Sequence, residues 1–201
     1  MIAVTGGLGS GKSSVSKILA YSLDACLIDT DALCRQQMEP GAEGFQEIKK
    51  IFGLQFIQPD GFINRELLRR KVFSETEIKL ELESILHPIV SRELLVCREE
   101  CSAAGRFLVV EVPLLFEVGW QKKFDFTIAV YAPRQLCIDR VMLRDNLPNK
   151  LICMIISSQM DLEEKRRQAD FCIDNSGTYA GTMQQIFWCS RNIKTQKKTG
   201  Q

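Results

Sequence analysis

Eight residues near the N-terminus have the types and spacing of a phosphate-binding loop. The segment from Gly6 to Ser13 reads G-G-L-G-S-G-K-S and matches the pattern G-x-x-x-x-G-K-[ST]. Its glycines let the backbone curl so that successive N–H groups point at phosphate oxygens, and the positive end of the following helix strengthens the attraction. The pattern predicts that a nucleotide is bound by Gly7, Leu8, Gly9, Ser10 and Gly11.

The polar side chains that end this loop have separate predicted roles. Lys12 is expected to reach the β- and γ-phosphates, Ser13 to coordinate Mg²⁺ and Ser14 to contact the α-phosphate. A short apolar strand precedes the loop, and a helix with apolar periodicity, about Lys12 to Ser22, follows it. The alternative is a flexible glycine turn that contains a lysine by chance. Such a turn would require neither the strand before it nor the helix after it.

Two carboxylates follow the next apolar run, in the sequence Ile28-Asp29-Thr30-Asp31. Ligands of an open parallel sheet bind beyond the carboxyl ends of its strands. A carboxylate there can take the proton of an attacking hydroxyl, or help to hold Mg²⁺, in the case of Asp31 through a water. Asp29 or Asp31 can equally cap the next helix, and the spacing alone leaves both readings open.

Composition excludes several classes of protein. The chain has 201 residues, which suits one domain, and its 26 Lys and Arg balance 25 Asp and Glu, unlike a dedicated nucleic-acid binder. One histidine, His87, excludes a multi-histidine metal site, and none of the eight cysteines forms a CxxC pair. No window approaches the roughly 18 apolar residues of a membrane span. We expect a cytoplasmic monomer with reduced thiols and no nucleic-acid or membrane partner.

The other motifs separate the classes of nucleotide-binding protein. A GTPase needs an N-K-x-D guanine reader, but the Asn-Lys pair at Asn149–Ile152 has no Asp after it. A D-x-x-G switch occurs only at Asp174–Gly177, behind every plausible core strand. Motor proteins and related ATPases usually have longer chains. A small kinase with an inserted substrate region and an arginine-bearing lid remains.

Alternating strand and helix patterns predict an α/β fold, in which helices flank a parallel sheet of about five strands. The predicted strands are Ile2–Thr5, Ala25–Ile28, Phe107–Val112, Phe126–Tyr131 and Phe171–Ile173. The expected P-loop kinase core comprises about residues 1–29, 105–139 and 170–193. A helical acceptor-binding insertion is expected at about 30–104, a helical lid at about 140–169 and a frayed tail at 194–201.

Motifs in a fixed order over about 175 residues resemble the dephospho-CoA kinase family. The matching segments are Ile28–Asp31 with Arg35 and Glu39–Gly41, Phe52-Gly53, Asp60-Gly61, Asn64-Arg65, Leu68, Val72-Phe73, Leu86–Pro88, Val112–Glu117, Phe124-Asp125, Arg140, Arg144-Asp145, Gln159, Lys165-Arg166, Ala169-Asp170 and Ile173–Asn175. Single pieces are weak, but their order and spacing are specific to the family. The resemblance implies that ATP phosphorylates the ribose 3′-hydroxyl of dephospho-CoA.

The same resemblance implies the catalytic and ATP-binding roles outside the loop. Asp31 is the expected general base or acceptor-orienting carboxylate, and Arg140 the lid arginine over the transferring phosphoryl group. Arg144 shares a helix face with Arg140 and is expected to bind ATP, as is Asn175 through the adenine. From the residues alone, the two arginines are equally two exposed side chains paired with nearby aspartates, and Asn175 belongs to a turn.

For the acceptor, the resemblance implies contacts from Arg65, His87, Pro113, Leu114 and Leu115. The residues alone also allow Arg65 to be a surface arginine and His87 to end one helix, with Pro88 opening the next. Glu111 ends a predicted strand, where some P-loop proteins hold a carboxylate linked to Mg²⁺, but this role receives little weight.

Two departures from the family concern the lid. Many members have Gln at the position of Cys137 and Arg at the position of Ile155, so this lid binds phosphate with fewer charges. Two alternatives remain open: a kinase for another small hydroxyl or nucleotide acceptor, and a non-catalytic ATP-binding regulator. The regulator is disfavoured because no expected catalytic position is missing.

Overall fold

The computed structural model describes residues 1–199, which divide into two compact units. The first unit comprises Met1–Asp29 and the chain from Glu100 onward, and the second comprises Thr30–Glu99. The sequence placed the inserted segment at about 30–104, so the two descriptions differ by five residues at its end.

Within the described residues, the first unit contains a parallel sheet in the order β2-β3-β1-β4-β5. Its strands are β1 (Ile2–Thr5), β2 (Ala25–Asp29), β3 (Phe107–Glu111), β4 (Phe126–Tyr131) and β5 (Phe171–Asp174). The predicted α/β class is confirmed. Strand β1 is central and wholly buried, which explains why it is a continuous apolar run without alternation.

Among the described residues an α-helix follows each strand except β3, which leads to β4 through a 3₁₀ turn, so the expected alternation of strand and helix is interrupted there. They are α1 (Lys12–Leu23), α2 (Thr30–Gln37), α3 (Glu43–Phe52), α4 (Arg65–Ser74), α5 (Thr76–Ala103), α6 (Arg134–Asp145), α7 (Asn149–Ser157), α8 (Leu162–Gln168) and α9 (Tyr179–Thr199), with a 3₁₀ turn at Trp120–Lys123. In the first unit, α1 and α9 pack against the sheet and each other. Their contact buries Leu19, Ile186 and Ile193 against Ile2 and Val109.

The second unit has its own apolar core. Side chains from α3, α4 and α5 form it together with the segment between α3 and α4, and its buried members are Phe45, Ile48, Phe56, Ile63, Leu68, Ile85, Leu86 and Ile89. The predicted helix boundary at His87-Pro88 is wrong, because α5 continues through Pro88. An interior proline costs a helix about 3 kcal/mol. The buried Leu86 and Ile89 on either side of Pro88 each contribute a comparable amount, about 1.5–3 kcal/mol.

Helices α6, α7 and α8 form the region predicted as the lid. The buried side chains of Ile138, Val141 and Ile152 pack α6 against α7. The helix that carries Arg140 begins earlier than the predicted lid, at Arg134. The region predicted as the lid therefore has its own apolar cluster, and its first helix follows β4 directly in the chain.

The C-terminal segment differs from the sequence prediction. Helix α9 continues to Thr199, so residues 194–199 of the predicted frayed tail are helical. The remaining two residues of that tail lie outside the described residues. Along residues 1–199, no helix combines the length and apolar character that crossing a bilayer requires.

Candidate active site

The phosphate-binding loop turns between β1 and α1 and depends on two glycines with positive φ. Gly9 has φ 81° and Gly11 has φ 90°. A Cβ on Gly11 would lie 2.1 Å from Asn175 Nδ2, and one on Gly9 would lie 2.3 Å from the Cys137 carbonyl oxygen. Both dihedral angle and space therefore demand glycine here. The loop is packed between the end of β5 and the start of α6.

The loop lysine and serine share one carboxylate. Lys12 Nζ donates to Glu111 Oε2 at 3.2 Å, and Ser13 Oγ donates to the same oxygen at 2.9 Å. Glu111 is the last residue of β3, beside Val4 of β1 in the sheet register, and its side chain is buried. Sequence reasoning assigned little weight to Glu111, but its side chain contacts both residues expected to bind phosphate and Mg²⁺.

Asn175 links the loop to the arginine of α6. Its side-chain amide donates to the Ser10 carbonyl oxygen at 2.9 Å and accepts from Thr182 Oγ1 at 3.1 Å. Its own carbonyl oxygen accepts from Arg140 Nη2 at 2.8 Å. These bonds make Asn175 a brace for the loop and for Arg140, and Asn175 also lines the cavity beside the loop, so the adenine contact that the resemblance implies stays a prediction.

The two lid arginines have different environments. Arg140 Nη1 is buried without a hydrogen-bond partner, one of three such side-chain atoms among the described residues, and lies 4.0 Å from where a Cβ on Gly11 would be. Arg144 is 65% exposed and forms two hydrogen bonds of 2.7 Å with Asp145. Its guanidinium lowers the pKa of the Asp145 carboxyl, chiefly through these hydrogen bonds. Arg140 thus offers an unused cationic donor, whereas Arg144 has a carboxylate partner.

These groups line one open cavity of about 440 Å³ in the first unit. Its lining is Gly7, Leu8, Gly9, Gly11, Lys12, Ser13, Ser14, Arg140, Val141, Arg144 and Asn175. Every residue predicted to bind ATP lines this cavity except Ser10. The side chain of Ser10, which belongs to the loop, is buried. The structure thus brings the loop, both arginines and Asn175 into one cationic pocket suited to a polyphosphate.

The lid also holds the tip of the loop. Gln159, between α7 and α8, accepts a hydrogen bond from the Leu8 N–H at 3.0 Å. Cys137, at the first departure from the family, is buried, and its burial raises the pKa of its thiol against the opposing charge of Arg140. Its thiol donates to the Ala132 carbonyl oxygen at 3.6 Å, and its backbone lies against Gly9.

The segment after β3 was predicted to contact the acceptor. Leu114 is 37% exposed, whereas Leu115 is fully buried. Leu115 therefore packs in the core in place of the predicted acceptor contact. The Pro113 carbonyl oxygen accepts from Thr5 Oγ1 at 3.2 Å and from Lys165 Nζ at 2.6 Å. The contact with Lys165 of α8 was not foreseen.

The remaining predicted residues lie in the second unit. Asp31 is exposed in the first turn of α2, and His87 lies in the middle of α5. Arg65, the first residue of α4, donates through Nη2 to Glu39 Oε1 at 2.6 Å and to the Arg35 carbonyl oxygen at 3.1 Å. Arg65 thus joins α4 to the last turn of α2 and to the segment that follows it.

Known proteins resemble this chain along nearly its whole length. A family model described as "Dephospho-CoA kinase" matches residues 1–181. A dephospho-CoA kinase from Desulfotalea psychrophila is 40% identical over 197 residues, covering 98% of this chain and 99% of that protein. A crystal structure from Thermus thermophilus has TM-score 0.81 at 33% identity and 94% coverage of both chains. Dephospho-CoA kinase from Campylobacter jejuni has TM-score 0.69 at 28% identity and 98% coverage of both chains.

The family model covers the phosphate-binding loop and the segments that surround it. The resemblance drawn from the separate motifs is thereby confirmed, and this chain belongs to the dephospho-CoA kinase family.

Proposed function

We propose that this chain transfers the γ-phosphoryl group of ATP to the ribose 3′-hydroxyl of dephospho-CoA, which yields coenzyme A and ADP, the final step of coenzyme A synthesis. The observation that supports ATP binding is the environment of Arg140 Nη1. This atom is a buried cationic donor without a hydrogen-bond partner, and it lies beside the phosphate-binding loop. A phosphate oxygen would satisfy it. The family supplies the identity of the acceptor.

In this proposal the first unit binds and polarises ATP. Backbone N–H groups of the loop and the N-terminus of α1 hold the phosphates. Lys12 exchanges its contact with Glu111 for the β- and γ-phosphates, since a phosphate carries more negative charge than a carboxylate. Ser14, exposed in the first turn of α1, contacts the α-phosphate. Asn175 holds the loop and Arg140 in place.

The residues that would hold Mg²⁺ are Ser13 directly and Glu111 through water. The donor set fits, because Mg²⁺ prefers hydroxyl, carboxylate and phosphate oxygens. The Ser13 hydroxyl already lies 2.9 Å from Glu111 Oε2, so both oxygens face the same place. When bound, Mg²⁺ neutralises charge on the phosphate oxygens. A water-mediated contact from Asp31 belongs to the same proposal.

Charge on the transferring group is stabilised by the lid arginines. Phosphoryl transfer depends mainly on positioning and on stabilising charge over the phosphate oxygens. Arg140, buried and held by Asn175, presents a fixed donor and requires little reorganisation. Arg144 must first release Asp145, so its contribution is smaller.

On the acceptor side, Asp31 is proposed to accept the proton of the 3′-hydroxyl. Arg65, His87, Pro113 and Leu114 are proposed to bind dephospho-CoA. Leu114 supports this role because its apolar side chain is exposed directly after a strand end.

We extend the proposal to the setting of the enzyme. All eight cysteines lie within the described residues and are free thiols, which supports a reducing compartment such as the cytoplasm. The near balance of charge supports small-molecule partners without nucleic acid. A monomer is the expected state, to be measured by light scattering on the purified chain.

The test is ADP release coupled to coenzyme A detection, with ATP, Mg²⁺ and dephospho-CoA. We expect ADP release only with dephospho-CoA, and a fall of at least about 100-fold in Asp31→Asn, since a positioned base contributes about 10²–10⁴. Near-normal turnover in Asp31→Asn would leave the reaction in place and reduce Asp31 to a positioning role. Folded protein that binds ATP but makes no coenzyme A would refute the proposed function. Nucleoside monophosphates and small hydroxy acids would then be tried as acceptors.

A further inference from the structure

Lys165 in α8 is a fully buried cation outside the catalytic set. Its side chain has 0% exposure. Nζ lies 2.8 Å from Glu117 Oε1 and donates to the Pro113 carbonyl oxygen at 2.6 Å. Burying an ammonium group costs several kcal/mol unless it is paired and hydrogen-bonded. Both of these contacts are directed at one short segment, Pro113–Glu117.

The segment Pro113–Glu117 is held at both ends by α8 and the turn before it. At its start, Lys165 reaches the Pro113 carbonyl oxygen. At its end, Glu117 Oε1 receives Lys165 and also the Met160 N–H at 2.9 Å. The segment exposes Leu114 between these two attachment points. The lid and the exposed leucine are therefore joined through one ion pair.

The strand that leads into this segment is held independently. The Val112 N–H donates to the Val4 carbonyl oxygen at 2.9 Å, so the sheet fixes the chain up to Val112. Glu111, with its contacts to Lys12 and Ser13, lies on that fixed side. Thr5 also holds the Pro113 carbonyl oxygen, so loss of Lys165 would loosen the segment beyond Pro113 and leave the contacts of the phosphate-binding loop in place.

We propose that Lys165 is a positioning residue for the acceptor: with Glu117 it fixes Pro113–Glu117 to α8, so that Leu114 is presented to dephospho-CoA when the lid is in place. This inference rests on the proposed function, because it takes dephospho-CoA as the acceptor. Burial lowers the pKa of Lys165, the hydrogen bond that Lys165 donates to Glu117 and the charge of Glu117 oppose that shift, and the charge of Lys12 adds to it. The nearby charge of Lys12 agrees with a place close to the phosphate site.

The kinetic test compares Lys165→Met, Lys165→Arg, Glu117→Gln and the double variant Lys165→Met/Glu117→Gln. For Lys165→Met we expect kcat/KM for dephospho-CoA to fall by about 10- to 100-fold, as for a displaced positioning group, with the Kd of ATP alone changed less than about twofold. Lys165→Arg keeps the charge and is expected to recover part of the loss. The double variant should be no worse than Lys165→Met, because the two residues act as one unit.

A matched control separates positioning from stability. Ile186→Ala removes a fully buried side chain from the sheet core, away from the segment, and should lower Tm without changing kcat/KM for dephospho-CoA at temperatures where it is folded. A similar fall of kcat/KM in Ile186→Ala, or a parallel loss of ATP affinity in Lys165→Met, would overturn the inference.

Amide hydrogen exchange without any substrate tests the inference independently of the reaction. Three N–H groups report on the segment: Val118 donates to Leu114, Gly119 to Phe116 and Trp120 to Leu115. We expect their exchange to quicken in Lys165→Met while that of Val112 and of α1 stays unchanged. Unchanged exchange at all of these amides would refute the positioning role. An enzyme that fails to make coenzyme A would refute the proposed function and leave this exchange result standing.

Discussion

The hydroxyl of Ser13 lies 2.9 Å from Glu111 Oε2, the same carboxylate oxygen that Lys12 contacts at 3.2 Å. Ser13 and Glu111 are 98 positions apart in the chain. Parallel pairing of β1 and β3 brings them together, because both strands end at the same edge of the sheet. A cation and a hydroxyl expected to bind nucleotide thus share one carboxylate.

Glu111→Gln should weaken the use of Mg²⁺. The amide is nearly isosteric with the carboxylate but carries no charge to attract water-bound Mg²⁺. We expect the Mg²⁺ concentration for half-maximal activity to rise by about tenfold or more, because an outer-shell partner of a metal contributes about 10–100-fold. A Mg²⁺ titration of initial rates at saturating ATP and dephospho-CoA measures it. An unchanged Mg²⁺ dependence would remove Glu111 from the proposed metal site.

Gly11→Ala should strongly weaken ATP binding. The new Cβ would lie 2.1 Å from Asn175 Nδ2, and φ is 90°. The Asn175 side chain would have to move and release the Ser10 carbonyl oxygen, which would disturb the loop and the segment whose backbone carbonyl holds Arg140. Calorimetric titration with ATP is expected to show a loss of at least about 100-fold in affinity, in line with two or more lost hydrogen bonds to a charged ligand.

Gly119→Ala is the matched control for that variant. Gly119 has φ 69° and ψ 24°, close to the φ 90° and ψ 18° of Gly11, but a Cβ there meets no atom within 4 Å. Backbone strain alone costs roughly 1–2 kcal/mol. We expect Gly119→Ala to lower the free energy of unfolding by about that amount and to bind ATP normally. Equal ATP affinity in the two variants would contradict the clash with Asn175.

The fold could be predicted largely because its central strands are buried on both sides. Apolar runs at Ile2–Thr5 and Phe126–Tyr131 predict β1 and β4 at the residues where the structure has them. The local rule that a proline ends a helix failed at Pro88, because tertiary packing determines the helix boundary there. Pro88 lies inside α5 because apolar side chains on both sides of it enter one core.

The site was predictable where a local motif fixes the geometry, as in the loop from Gly7 to Ser14. The side chains that contact the loop could not be predicted in this way. The contacts of Glu111 with Ser13 and of Gln159 with Leu8 join residues that are far apart in the sequence. Spacing shows that Arg140 and Arg144 share a helix face. Only the packing of Asn175 beside Arg140 distinguishes their environments.

The stability of the protein should fall at alkaline pH because of Cys189. Burial raises the pKa of this thiol to about 11, from an ordinary value of 9.0. Between these values the unfolded chain loses the proton and the folded chain keeps it, so the unfolded state is favoured as pH rises. We expect a loss of up to about 2 kcal/mol in the free energy of unfolding between pH 9 and pH 11.

Cys189→Ala isolates that effect. The variant has no thiol at this position, so its urea unfolding free energy should decline less steeply over the same range, whatever the cost of the smaller side chain at neutral pH. Only the difference in pH dependence is compared. Parallel curves for the two proteins would show that other groups cause the alkaline loss.

The last prediction compares the two lid arginines, which are four residues apart on α6. Arg140→Met removes a buried donor that Asn175 holds beside the loop, so the charge on the transferring phosphoryl group would lose a fixed partner. We expect kcat to fall by about 10²–10³-fold, as for loss of one preorganised donor. Arg144→Met removes an exposed side chain already paired with Asp145, and we expect less than about a tenfold change. Steady-state kcat and KM for ATP, measured with saturating dephospho-CoA, distinguish the two. If Arg144→Met proves the more damaging, Arg144 must leave Asp145 in the closed enzyme, and Arg140 serves mainly to brace the loop through Asn175.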